Sequence, residues 1–141
     1  MTLKLNLELD PLPYTIHRLP PTTPASIYLP LLDNQAWYSI TKTAEEISLV
    51  ISHSYPSTSN LLPNTPEEHK VSPSWRCFKV AGPLDFSLVG IMANLSNALA
   101  EHQISVFVVS TYDTDYVLVK EDKAQEAKKV FEGIGHSVSV L

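Results

Sequence analysis

A chain of 141 residues can form one ordinary domain or two very small ones. Its 44% hydrophobic and 18% charged residues supply enough apolar material for a packed core, which excludes wholesale disorder. The net charge of −5 argues against sequence-independent binding to nucleic acid, because such binding needs a surplus of lysine and arginine facing the phosphates.

Membrane, metal and disulfide signals are also weak. No apolar run approaches the ~18 residues of a membrane span, and the first ten residues alternate instead of forming the apolar block of a signal peptide. The single cysteine, Cys77, has no partner for an internal disulfide, and the 5 histidines lack the spacing of metal ligands. The sequence therefore predicts a cytoplasmic protein without a cofactor or a metal, and without membrane or nucleic-acid partners.

The first half of the chain contains ten of the 11 prolines. Because each proline fixes φ and removes a backbone donor, this half is expected to consist of short strands and rigid connections. Leucines at every second position from Leu3 to Leu9 predict a strand with one buried face. Further predicted elements are a strand at 14–19, an irregular turn of helix at 25–32, a hairpin with strands at 37–41 and 47–51, and a connecting loop at 54–74.

The second half has a regular order of elements: strand, helix, strand, strand, helix, strand. Both helices are indicated by apolar residues that recur every three or four positions and line one face. In the first helix these are Leu88, Ile91, Met92, Leu95, Ala98 and Leu99; in the second they are Ala124, Ala127, Val130, Phe131 and Ile134. The strands are predicted at 75–81, 104–109, 116–119 and 136–141. This order is typical of an α+β, ferredoxin-like βαββαβ sandwich.

Three segments of the chain carry a resemblance to a known family. They are GPLDF at 82–86, STYDTDYVLV at 110–119 and, upstream, WYSITKTAEEISLVI at 37–51. In combination they resemble small ACT-domain proteins, specifically the group related to the ACT domains of aspartokinases and to the CASTOR arginine sensors. The resemblance covers most of residues 37–141.

The resemblance implies tandem ACT-like units, commonly assembled as a homodimer. The first unit, at 1–55, would be degenerate; a Pro-rich linker at 56–73 would lead to an ACT domain at 74–141. It also implies a non-enzymatic regulatory role, in which a small amino acid is held at the interface between ACT units and its level is reported to a regulatory protein partner. Consistent with this role, no spacing in the sequence indicates a catalytic Ser/His/Asp set or a phosphate-binding loop.

The implied ligand site has two walls, one at 82–87 and one at 110–115. Its candidate residues are Asp85, Phe86, Ser87, Ser110, Thr111, Tyr112, Thr114 and Asp115. The ligand carboxylate would suit the amino terminus of the helix that begins near Phe86, where backbone N–H groups are unpaired. Asp85 has two interpretations, because its carboxylate can cap this helix or accept the ligand ammonium.

The carboxylates of Asp113 and Asp115 favour a cationic ligand such as arginine or lysine. Each also has a local interpretation, in which the side chain satisfies backbone groups of a turn. Ser110 and Thr111 either donate hydroxyls to the ligand or complete the end of a strand. Tyr112 either stacks on a planar guanidinium or lies on the surface.

Gly90 is interpreted as an interior residue of the first helix, where a missing side chain permits close packing at a cost of ~1 kcal/mol in helix propensity. A function of a different class also stays open. The chain can instead be a ligand-free protein-interaction module that uses its exposed sheet faces. The response of the protein to added amino acids distinguishes the two.

Overall fold

The leucines that alternate near the amino terminus lie in one long strand, β1 (Asn6–Leu19), or directly before it. Leu5, Leu7 and Leu9 are buried, which confirms the predicted buried face. The sequence analysis expected a second, separate strand at 14–19, but β1 continues through both intervening prolines. Its first residues pair with one strand and its last residues with another, so the prolines fall between the two paired stretches and interrupt neither.

The computed structural model describes residues 3–33, 35–52, 69–81 and 90–141. The chain divides into two compact units. One is Leu12–Ser74, called the inserted unit; the other joins Met1–Pro11 to Trp75–Leu141 and is called the discontinuous unit. The sequence analysis assigned the first residues to an amino-terminal unit instead. Buried leucines of β1 explain the difference, because they belong to the same hydrophobic core as the helices of the discontinuous unit.

The inserted unit contains the carboxyl-terminal part of β1 and a hairpin. Its other elements are helix α1 (Ala25–Tyr28) with a following 3-10 turn (Leu29–Leu32), and strands β2 (Ser39–Lys42) and β3 (Ile47–Ser52). Strand β3 pairs antiparallel with both β2 and β1, and the N–H of Thr43 donates to the carbonyl of Glu46 at 2.8 Å to close the hairpin. The predicted helical turn and hairpin are confirmed. The core of this unit is formed by Leu19, Tyr28, Leu31, Leu32, Ile47, Leu49 and Ile51.

The discontinuous unit has the predicted order of strands and helices. Its elements are β4 (Lys70–Val80), which begins within the inserted unit, α2 (Ile91–Glu101), β5 (Phe107–Ser110), β6 (Asp115–Lys120), a 3-10 turn (Glu121–Lys123), α3 (Ala124–Gly133) and β7 (Ser137–Val140). The predicted loop at 54–74 ends earlier than expected, since β4 already starts at Lys70. At 11 residues, α2 is the longest described helix, and no helix in the described ranges is long and apolar enough to cross a membrane.

The sheet of the discontinuous unit has the strand order β7–β1–β4–β6–β5. Strand β7 runs parallel to β1, with Asn6 opposite Ser137 and Leu9 opposite Val140. The amino-terminal strand therefore lies between the last strand and β4. Such a pairing between the two ends of the chain cannot be read from local periodicity.

Both helices of this unit cover one face of the sheet. Their buried residues meet the inward residues of the strands in one core: Leu5, Leu7, Leu9, Phe78, Val80, Ile91, Leu95, Ala98, Leu99, Ile104, Val117, Val119, Ala124, Ala127, Val130 and Phe131. The predicted apolar faces are confirmed at these helical positions. Ile134 is the exception, with 38% of its surface exposed, because α3 ends at Gly133 and the chain turns away there.

Candidate functional site

The turn between β5 and β6 is closed by two threonines. The N–H of Thr111 donates to the carbonyl of Thr114 at 2.8 Å, and the Thr111 hydroxyl donates to the same oxygen at 3.0 Å. The N–H of Thr114 in turn donates to the Thr111 hydroxyl oxygen at 3.3 Å. The Thr111 hydroxyl proton is therefore used within the turn. This geometry matches the local interpretation of Thr111, and it gives the turn a single well-defined shape.

Thr114 ties this turn to the end of the neighbouring strand. Its side chain is buried, and its hydroxyl donates to the carbonyl of Val80 at 2.5 Å. In the ladder between β4 and β6, Lys79 lies opposite Tyr116, so the next step brings Val80 opposite Asp115. The chain therefore leaves β4 beside the 110–115 turn. The last residue of β4 and the 110–115 turn therefore lie at the same end of the sheet.

The polar side chains of the turn differ in exposure. Asp115 is half-buried and lies opposite Ser110, whose side chain is exposed. Asp113 is exposed, and Tyr112 has 82% of its surface exposed. Ser110, Asp113 and Asp115 thus offer one hydroxyl and two carboxylates around the hydrogen-bonded turn. Such a set can accept hydrogen bonds from a cationic or zwitterionic ligand.

The other predicted wall of the ligand site, at 82–87, is not among the residues that the structure describes. Asp85, Phe86 and Ser87 lie outside the described residues, as does Leu88 of the predicted apolar stripe. The described part of the helix begins at Ile91, directly after Gly90.

Gly90 precedes α2 and is not an interior helical residue, contrary to the sequence interpretation. It has a left-handed conformation with φ of +81°, and its carbonyl accepts the N–H of Asn94 at 2.8 Å. Among the described residues, and apart from the two chain neighbours, no atom lies within 4 Å of the position that a Cβ would occupy. Glycine is therefore favoured here by its left-handed backbone conformation.

A buried histidine that the sequence analysis did not single out connects three elements of the discontinuous unit. His136 Nδ1 accepts the N–H of Leu5 at 3.0 Å, and its Nε2 lies 2.6 Å from Oδ1 of Asn94 in α2. Burial lowers the pKa of His136 below its ordinary value. This histidine is structural, because both ring nitrogens are occupied within the protein.

The single cysteine is also structural. Cys77 is buried in β4, and burial, with a smaller contribution from the charge of Asp10, raises its pKa to about 12. A thiol with this pKa carries almost no thiolate at neutral pH.

Residues 70–132 match the family model of the ACT domain. This ACT segment contains β4, both helices, and the 110–115 turn with its two carboxylates. The predicted resemblance to ACT domains is thereby confirmed for the ACT segment.

The curated relatives are arginine sensors. The human protein named cytosolic arginine sensor for mTORC1 subunit 1 is 37% identical over 68 residues, which is 48% of this chain and 18% of that protein. The mouse protein of the same name is 40% identical over 50 residues, or 35% of this chain and 15% of that protein. The chain thus matches less than a fifth of the length of these relatives.

Solved structures resemble the chain over nearly its whole length. The Agrobacterium tumefaciens protein Atu0741 is 29% identical, with a TM-score of 0.79 over 99% of this chain and 96% of its own. The regulatory subunit of aspartate kinase from Thermus flavus is 12% identical, with a TM-score of 0.71 over 94% of this chain and 99% of its own. The chain therefore has the sheet-dominated, mixed α/β fold of ACT regulatory domains.

Proposed function

We propose that this protein is a non-enzymatic regulator that binds a free amino acid through its ACT segment. The observation that carries the proposal is the 110–115 turn within that segment, where Asp115 and Asp113 surround a turn held in one shape by Thr111 and Thr114. Preorganised polar groups favour binding because less conformational entropy is lost on association. The names of the curated relatives, which are arginine sensors, support an amino acid as the ligand.

The charge of the turn favours a cationic amino acid, such as arginine or lysine. Two carboxylates within three residues attract a guanidinium or ammonium group, and a half-buried carboxylate such as Asp115 interacts more strongly than an exposed one. The exposed ring of Tyr112 can stack on a guanidinium. The hydroxyls of Thr111 and Thr114 donate within the protein, so their role in the proposed site is to shape the turn.

The second wall of the proposed site is the 82–87 segment, with Asp85, Phe86 and Ser87. The hydrogen bond from the Thr114 hydroxyl to the Val80 carbonyl supports this assignment, since it holds the end of β4 against the 110–115 turn. The proposed ligand lies at the interface between ACT units of a homodimer. Binding then regulates a partner protein, provided that the ligand prefers one arrangement of the units. A cytoplasmic location is proposed by analogy with the cytosolic arginine sensors.

The experiment is a melting-temperature screen of the purified chain against all twenty amino acids, followed by titration calorimetry with each positive compound. A ligand present at 100 times its dissociation constant stabilises the folded state by about 2.7 kcal/mol, which raises the melting temperature by a few degrees. Arginine or lysine is expected to produce this shift. Agmatine, which keeps the guanidinium and lacks the carboxylate, is the matched control and should produce a smaller one.

A ligand-free interaction module is the second candidate, and the edges of the discontinuous sheet favour it. In the described part of the chain, β5 pairs with β6 alone and exposes Val108, while β7 pairs with β1 alone and exposes Val140. Unpaired strand edges are common sites of protein association. An unchanged melting temperature with all twenty amino acids would support this candidate and contradict the sensor.

A further inference from the structure

The last turn of α2 and the facing side of α3 border a groove with a volume of about 370 Å³. Its apolar lining is formed by Ala98, Val130 and Ile134. Ala98 and Val130 belong to the core below the groove, whereas Ile134 keeps 38% of its surface exposed. Small-molecule sites have volumes of about 300–1,000 Å³ and combine an apolar lining with a few polar groups. The groove therefore has the size and the apolar surface of such a site.

Gly133 also lines the groove, and no contact within the described chain requires glycine there. It is the last residue of α3, and its φ is negative; Gly135, with φ of +103°, supplies the left-handed residue that ends the helix. Apart from its chain neighbours and its own helix backbone, no described atom lies within 4 Å of the position of a Cβ at Gly133. Most other residues would favour the helix more strongly than glycine does. The consequence of the missing side chain is an open groove.

Two opposite charges border the groove. Glu101 at the end of α2 and Lys129 in α3 both line it and are exposed. Within the described part of the chain, neither forms an ion pair, although Lys128 beside Lys129 pairs with Glu132 at 3.3 Å. A carboxylate and an ammonium next to an apolar surface complement a ligand that carries both charges and an apolar group.

His102 adds a hydrogen-bond acceptor to the Glu101 side of the groove. Its Nδ1 lies 3.0 Å from the carbonyl oxygen of Ala98. Because a carbonyl can only accept, Nδ1 carries the proton, and Nε2 is the acceptor of the neutral ring. Helix α2 ends at Glu101, so the negative end of its dipole lies beside the same groups. This side of the groove therefore favours an ammonium group.

We propose that the groove binds a free α-amino acid with an aliphatic side chain. The ligand ammonium donates to the Glu101 carboxylate and to Nε2 of His102, and the ligand carboxylate accepts from the Lys129 ammonium. The aliphatic side chain packs against Ile134 and occupies the space beside Gly133, which removes apolar surface from water.

This groove differs from the proposed site at the 110–115 turn in both place and specificity. No residue of that turn lines the groove. A cationic side chain would lose hydration against the apolar lining, so arginine and lysine should bind here more weakly than an aliphatic amino acid. The inference does not depend on the proposed function.

The test is a titration of the nitrogen-15-labelled chain with L-isoleucine, followed by the amide signals in nuclear magnetic resonance spectra. Isoleucine should produce saturable shifts at residues 101–103 and 130–135. Two analogues serve as probes of the charged groups: 2-methylbutylamine lacks the carboxylate, and 3-methylpentanoate lacks the ammonium. Each should bind about tenfold more weakly or worse, because one charge of the groove is left unmatched. The absence of saturable shifts at these residues, or equal binding of isoleucine and both analogues, would overturn the proposal.

The most informative variant is Gly133→Leu, whose side chain would occupy the groove. It should lower the isoleucine affinity at least about tenfold and raise the melting temperature, because leucine favours a helix more than glycine does. Glu101→Gln and Lys129→Gln should each lower the affinity about tenfold. Lys128→Gln makes the same change of charge at a residue that does not line the groove, and it should bind as the unaltered chain does.

Unchanged isoleucine affinity in Gly133→Leu would overturn the proposal, as would equal affinities of Lys129→Gln and Lys128→Gln. A separate titration with arginine reports on the 110–115 turn through the amide signals of that turn. Failure of the groove and failure of the proposed function are thus seen at different residues.

Discussion

His136 and Asn94 are joined by a side-chain hydrogen bond of 2.6 Å between Nε2 and Oδ1. The other ring nitrogen, Nδ1, accepts the backbone N–H of Leu5, so the ring proton must be on Nε2 and is donated to Asn94. The carbonyl of Leu5 accepts the N–H of Ser137 at 3.0 Å. The neutral imidazole thus takes the place of a backbone acceptor where β1 and β7 begin to pair, and it connects both strands to α2.

This arrangement predicts that the protein loses stability in mild acid. The ordinary pKa of histidine is 6.5, and burial lowers that of His136 in the folded state. Below pH 6.5 the unfolded chain takes up a proton that the folded chain resists, so the free energy of unfolding falls as the pH falls. The contribution of His136 is complete above pH 6.5. Urea midpoints measured between pH 8 and 5 should therefore decline less for His136→Gln than for the unaltered chain. A decline of His136→Gln in parallel with the unaltered chain would contradict the prediction.

Removing the Thr114 hydroxyl should destabilise the protein. Thr114→Val keeps the volume of the side chain but leaves the carbonyl of Val80 without its donor. The cost of a buried unsatisfied group is about 1–3 kcal/mol in the free energy of unfolding. Thr114→Ser retains the hydroxyl and should cost less, as measured by urea denaturation. Equal stability of the valine variant and the unaltered chain would show that this hydrogen bond contributes nothing.

A substitution at Gly90 tests whether backbone conformation or packing selects glycine. Because φ is +81° and no described atom beyond the chain neighbours is near the Cβ position, Gly90→Ala should cost about 1–2 kcal/mol through backbone strain. Gly90→Asn should cost less, since asparagine tolerates the left-handed region. Denaturation of both variants checks the order. A larger loss with asparagine than with alanine would point to a steric cause.

The proposed ligand site predicts a specific effect of Asp115→Asn. A charge-assisted hydrogen bond contributes about 1.5–3 kcal/mol, so affinity for a cationic amino acid should fall ten- to a hundredfold by calorimetry. The melting temperature without ligand should change little. Asp122→Asn makes the same change of charge at an exposed residue of the 3-10 turn before α3 and should bind as the unaltered chain does. Unchanged affinity in Asp115→Asn would remove this residue from the site.

The thiol of Cys77 should be inert while the protein is folded. With a pKa of about 12 in place of 9.0, the thiolate population at neutral pH is about a thousandfold lower than for an ordinary cysteine. Alkylation at pH 8 should proceed only in denaturant, as followed by intact mass. Rapid labelling of the folded chain would mean that β4 opens readily around this residue.

Much of the secondary structure was predictable because its signals are local. The repeats of apolar residues identified α2 and α3, and the polar turn at 110–115 was placed correctly between β5 and β6. The roles of Thr111 and Thr114 within that turn were not predictable in the same way. A threonine has the same sequence signature whether its hydroxyl faces a ligand or a carbonyl, and only the hydrogen bonds from Thr111 to Thr114 and from Thr114 to Val80 distinguish the two.

The errors have a common physical origin in contacts between distant residues. Prolines in β1 indicated an interruption, but the strand continues because its two halves pair with different partners. The contact between His17 and His69 has no local signal either, because 52 residues separate them. Ile134 continued the apolar stripe of α3, yet the helix ends at Gly133 and leaves it partly exposed.

Three features follow directly from the amino-acid sequence: the order of strands and helices in the second half, their inward faces and the resemblance to ACT domains. All three follow from side-chain periodicity and short motifs, which act within a few residues of the chain. Tertiary structure alone decided that the first residues join the last strand, that His136 contacts Leu5 and Asn94, and that Thr114 supports the end of β4. These pairings depend on which surfaces meet when the core closes, and no local pattern encodes that choice.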